Sequence, residues 1–143
     1  MTAREFPLAG LLRARALQEE RAASQLADAN HARDTAVREV QRAQSSLAAL
    51  TMRAGATHRA SEFGAAVTAR ASAAARTQDL AAVADTAGVT AAEATQVWRT
   101  ARRSAAAIER LGERHALAMQ VEEQRSEQRV LDEAALRSAR EDA

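Results

Sequence analysis

From Leu8 onward the larger apolar side chains recur at alternating intervals of four and three residues. The positions are Leu8, Leu12, Arg15, Glu19, Ala22, Leu26, Ala29, Arg33, Ala36, Val40, Ala43, Leu47 and Leu50, of which ten are apolar. That spacing is the seam of a left-handed coiled coil. An amphipathic helix in an ordinary bundle has the same period, but about six unbroken heptads favour the coiled coil. A second run, Leu80, Ala84, Ala87, Ala91, Ala94, Trp98, Ala101, Ala105 and Ile108, keeps the same spacing with a seam almost entirely of alanine. Small seam residues let two helices approach near the close end of the usual range of about 8–10 Å.

The breaks in the pattern set the boundaries. Pro7 suits a first helical turn, because its missing N–H would lack an intrahelical partner there anyway. The segment MRAGATHRAS, Met52 to Ser61, is the best turn. In it Gly55 can take a left-handed C-terminal position, and Thr57 or Ser61 can cap the next helix. A rival turn lies at Ala84 to Ala94, where Gly88 can end a helix and Thr90 with Glu93 forms a capping-box pattern. The seam crosses that stretch without changing phase. The expectation is a single all-α domain over 1–143: helix one at about 7–54, a turn at about 55–60 and helix two at about 61–140. Its fold is a long antiparallel two-helix coiled coil with an alanine-rich seam, both termini at one end, and Leu26, Val40, Leu47, Leu80, Trp98 and Ile108 as its core.

Folding symmetrically about residue 57 sets Leu8 against roughly residue 107, so everything after Ile108 overhangs. At 1.5 Å per residue the paired region is about 70 Å long and the overhang about 50 Å. The overhang contains VEEQRSEQRVLDEAAL, Val121 to Leu136, whose first two apolar residues, Val121 and Val130, are separated by eight polar ones. Such a helix buries little because its own partner does not reach it. Either it stands solvated, or another molecule covers it.

Composition reinforces a thin structure. Of 143 residues 40 are alanine, the aromatics are Phe6, Phe63 and Trp98, and there is one proline. Alanine is the best intrinsic helix former, yet it buries little area at roughly 25 cal/mol per Å². With no cysteine, disulfides, thiolate zinc sites and cysteine nucleophiles are excluded. No apolar run is long enough to span a bilayer, and MTAREFPLAGLL has no convincing cleavage signature, so the expectation is a soluble, cytoplasmic chain without membrane insertion.

Reaction chemistry finds no support. His31, His58 and His115 are far apart and lack partners at a ligand spacing, so each reads as a solvated histidine, with His115 on the extended seam after Ile108 and Gly112 and able to meet a partner helix there. The glycines form no phosphate-cradling loop. Glu122, Glu123, Glu127, Asp132 and Glu133 are interleaved with Arg125, Arg129 and Arg137, which is the pattern of a charged solvated face. No catalytic residue, cofactor, metal or small-molecule substrate is expected. All twenty basic residues are arginine and the net charge is +1. Arg99, Arg102, Arg103, Arg110 and Arg114 form one basic cluster. The tail from Glu109, with six arginines against nine acidic residues, is net negative, which argues against nucleic acid along it. Trp98 reads as a packing anchor in a thin core.

The C-terminal residues carry a family resemblance. Trp98-Arg99, Glu109-Arg110-Leu111, Glu127-Gln128 and Leu131-Asp132-Glu133 followed by Arg137, together with the opening FPLAGLLRARALQEERAASQLADA, resemble the flagellar export protein FliJ family. The resemblance covers essentially the whole chain, although its middle is generic and no single motif is rare. It implies a non-enzymatic coiled coil, similar in shape to the central stalk of rotary ATPases, in the flagellar type III export apparatus. Implied partners are the hexameric export ATPase and its regulator, the membrane export gate and the export chaperones, at the inner face of the cell membrane beneath the flagellar basal body. The residues placed on the ATPase ring are Leu8, Leu11, Leu12, Leu111, Val121, Glu127, Gln128, Leu131, Asp132, Glu133 and Arg137. Those placed on the gate are Leu47, Leu50 and Met52, where family tyrosines late in helix one are missing from SSLAALTMRAGA. Other readings are the stalk of a virulence-type secretion system, a passive self-dimerising spacer and an arginine-rich nucleic-acid binder.

Overall fold

A computed structural model describes residues 6–55 and 59–141, the side chains of residues 54, 55 and 141 excepted. Two helices account for nearly all of it: α1, Ala9–Gly55, and α2, Ala60–Glu141, packed against each other with no strand among the described residues. Residues 56–58, which include the expected turn centre, the Thr57 cap and His58, lie outside the described residues.

The start of α1 departs from the sequence expectation by two residues. Pro7 and Leu8 form a turn in which the Ala9 N–H donates to the Phe6 carbonyl at 3.0 Å, and the Leu8 carbonyl accepts the first helical bond from Leu12 at 2.9 Å. Leu8 thus stands at the cap position, ahead of the helix proper. At the start of α2, Ser61 sits inside the first turn and caps nothing, because the helix already begins at Ala60, with the Phe63 N–H bonded to the Arg59 carbonyl.

The rival turn at Gly88 is not used, and α2 runs through it unbroken. Thr86 and Thr90 donate their hydroxyls to the carbonyls of Ala82 and Thr86, at 2.9 and 3.1 Å. Bonding four residues back keeps each hydroxyl on its own helix and leaves none for capping. A Cβ built on Gly88 meets nothing within 4 Å. Gly88→Ala is therefore expected to stabilise the chain by about 0.5–1 kcal/mol, the helix-propensity difference alone. At this chain length that is a rise of roughly 2–4 °C in the melting midpoint followed by circular dichroism.

The chain divides into two compact units, Met1–Glu19 with Ala101–Ala143, and Glu20–Thr100. Within the second, the helices run antiparallel: Ala29 and Ala32 share a groove with Ala82, Thr86 and Thr90, while Ala43 and Ser46 lie beside Ser72 and Arg76. Among the described residues the buried ones are Ala22 and Ala91 here and Ala105 in the other unit. Each is a seam alanine, small enough for the facing helix to close over it. Leu26, Val40, Leu47, Leu80 and Trp98 are half-buried along the same seams, as is Ile108 in the other unit. Arg33, although at a seam position, is exposed and paired with its neighbour Asp34 at 2.8 Å.

Candidate partner-binding surface

The unit built from residues 1–19 and 101–143 holds most of the residues singled out for partner contact. Two contacts mark how its paired part is aligned. Arg102 on α2 reaches the Glu19 carboxylate on α1 at 3.4 Å. The Phe6 ring lies against His115, centroids 5.4 Å apart and planes tilted by 54°, and comes within 3.6 Å of where a Cβ on Gly112 would stand. A Cβ there would meet the ring at ordinary contact distance, so the ring packs over Gly112 without depending on the missing side chain, and a tilted ring pair adds about 0.5–1.5 kcal/mol beyond its buried area.

These contacts correct the expected extent of pairing. The Glu19–Arg102 bridge, carried along the helices, puts Leu8 opposite about residue 113, more than one turn beyond 107. Gly112, His115 and Met119 are accordingly half-buried, continuing the four-three seam past Ile108. Leu111 belongs beside this paired part, 36% exposed, and is not in the overhang. Leu12 is half-buried, whereas Leu8 and Leu11 are close to 40% exposed on the flank of the same stretch.

Beyond Met119 the character of α2 changes. Every residue from 120 to 140 is exposed. At the next seam positions stand Glu122, Ser126, Arg129 and Glu133, which give an opposing helix nothing apolar to bury. The tail is held by its own helix: Arg129 donates to Glu122 at 2.9 Å, Arg137 to Glu133 at 2.8 Å and Gln128 to Asp132 at 2.7 Å. Exposed pairs of this kind each contribute about 0.3–0.5 kcal/mol. Val121, Val130, Leu131 and Leu136 stand out between these pairs, the last three more than 60% exposed. Glu127, Gln128, Asp132, Glu133 and Arg137 surround them with polar groups.

The three residues expected at the gate do not share a surface. Leu47 and Leu50 are half-buried on the α1 seam, and Met52 is 74% exposed. Sequence reasoning passed over the contact of Phe6 with His115; the one signal for it is that Gly112 and His115 continue the α2 seam. Among the described residues there is no group of three or more histidines, acidic residues or cysteines placed to hold a metal ion, and no helix long and apolar enough to cross a membrane.

A family model described as the flagellar FliJ protein matches residues 4–143, nearly the whole chain. The chain belongs to the FliJ family. No curated protein and no solved structure matches it. FliJ-family membership makes it a component of the flagellar export apparatus, in a family whose members are non-catalytic. The two packed helices and the exposed α2 tail are to be read in that setting.

Proposed function

We propose that this FliJ-family chain is a stalk-like coiled coil that docks on the hexameric export ATPase, promotes assembly and activity of its ring, and links that ring and its regulator to the export gate. In the same role it escorts export chaperones and works in the cytoplasm, held peripherally at the inner membrane face below the basal body. It carries out no reaction of its own. The observation that supports this reading is the α2 tail, exposed on every face from residue 120 to 140 with isolated large apolar side chains among charged ones. A broad apolar face would tend to aggregate while unbound, but single leucines in a polar helix do not. They suit a pore lined by mixed polar and apolar loops, with Leu8, Leu11, Leu12 and Leu111 at the root of the docking element and Val121 and Leu131 along it. Met52, exposed near the end of α1 while Leu47 and Leu50 stay on the seam, is the gate-facing residue of this scheme.

The reading is tested by ring assembly, followed by light scattering of the export ATPase with the full chain or with the double variant Leu131→Asp, Leu136→Asp. Both positions are more than 60% exposed, so the helices pack as before. The full chain is expected to shift the ATPase toward hexamers and travel with them, and the variant to lose both effects. Equal behaviour of the two chains, or no effect of either, contradicts the reading.

A further inference from the structure

The face of α2 that points away from α1 has an order of its own in the unit containing residues 101–143. Arg103, Ala107, Arg110, Arg114, Leu117 and Val121 follow the four-three spacing, two positions out of phase with the seam residues Ala101, Ala105, Ile108, Gly112, His115 and Met119. At about 100° per residue this places them roughly opposite the seam. All six are exposed, and the seam residues are buried or half-buried.

The charges on this stripe are unbalanced within the chain. None of the Arg103, Arg110 and Arg114 guanidiniums has an ion pair or hydrogen bond among the described residues. Elsewhere in the same unit Arg102, Arg129 and Arg137 each hold a carboxylate. Arg110 and Arg114 are moreover four residues apart on one face, a like-charge spacing that disfavours the helix. No acidic residue occupies a stripe position; Glu109 and Glu113 both fall to one side of it.

We propose that this outer face, from Arg103 to Val121, is a second docking surface and that its occupant is an acidic amphipathic helix of a partner protein. The heptad spacing suits a helix laid alongside, whose carboxylates come opposite Arg103, Arg110 and Arg114 and whose apolar side chains cover Leu117 and Val121. An anionic bilayer is the poorer occupant. The apolar part is two side chains wide with no aromatic to enter the headgroup region, and the flanking Glu109, Glu113 and Glu122 would be repelled by anionic lipid. The surface lies outside the tail assigned to the ATPase ring, apart from Val121 at their junction, and does not require that assignment.

The test titrates the full chain into a fluorescently labelled synthetic helix of 21 residues. That probe has glutamate at the three positions facing the arginines and leucine at the two facing Leu117 and Val121. Anisotropy is expected to show saturable binding that weakens with salt. The triple variant Arg103→Glu, Arg110→Glu, Arg114→Glu is expected to lose about tenfold or more in affinity, and a probe with arginine in place of glutamate to recover it. Its melt by circular dichroism should match the parent, because all three side chains are exposed; should it not, the corresponding glutamine variant removes the charge without adding a carboxylate. Absence of saturable binding, or binding that the charge reversal leaves unchanged, overturns the proposal. So does sedimentation with phosphatidylglycerol vesicles that depends on the three arginines while the probe does not bind, which would make lipid the occupant. No ATPase is present, so failure here is distinct from failure of the ring-docking reading.

Discussion

Ala91→Leu and Ala105→Leu are each expected to destabilise the chain by about 1–3 kcal/mol, whereas Ala92→Leu and Ala107→Leu, one or two residues away, change little. Ala91 and Ala105 are 3% and 1% exposed, and both controls are exposed. At the buried positions a leucine has no volume to enter unless the facing helix moves away. That displacement separates neighbouring seam layers as well, and these are mostly alanine with little area to lose. At the exposed positions the same substitution alters only helix propensity, by a few tenths of a kcal/mol. Chemical denaturation of the four variants checks this, and similar losses in all four would mean that the alanine seam does not set the packing.

Ending the chain at Val121 is expected to leave the melting midpoint where it is while abolishing the effect on the export ATPase. The described residues that are removed are exposed on every face, and their ion pairs and side-chain hydrogen bonds stay within the removed helix. Arg129 to Glu122 is such a pair, and both partners go together. Stability therefore rests on the seams up to Met119, and the tail is left free for the contacts proposed for it. A loss of ATPase response at constant stability points to a dedicated docking element. A large fall in the midpoint would place the tail in the fold after all.

The fold was legible where the sequence carries a period. The seams from Leu12 to Leu50 and from Leu80 to Ile108 emerged because four-three spacing survives in the identity of the residues, and all nine of the α2 positions are buried or half-buried. Arg33 is the exception on α1, since a guanidinium at a seam position extends to water and to Asp34. Register was not legible to within a turn. Alanine layers are nearly interchangeable, so any alanine fits opposite any other, and it took Arg102 on Glu19 and Phe6 on Gly112 and His115 to fix the offset. Phe6 precedes the periodic region, which is why its partner escaped notice. The unpaired tail was legible for a complementary reason: beyond Met119 the seam phase holds Glu122, Ser126, Arg129 and Glu133, and a helix without a seam cannot pair. The unpaired arginine stripe was seen in sequence only as a cluster, because Arg102, adjacent in sequence, points to Glu19 while Arg103 does not share its face.

In the proposed role this chain acts on the export ATPase through the end of α2. The most direct measurement is the rate of ATP hydrolysis by the host's flagellar export ATPase alone, with the full chain, and with the chain ending at Val121. Stimulation by the full chain and a basal rate with the shortened one is the result expected. A basal rate with both chains, under conditions where the ATPase can still form rings, contradicts the claim and leaves a coiled coil whose partner must be sought elsewhere.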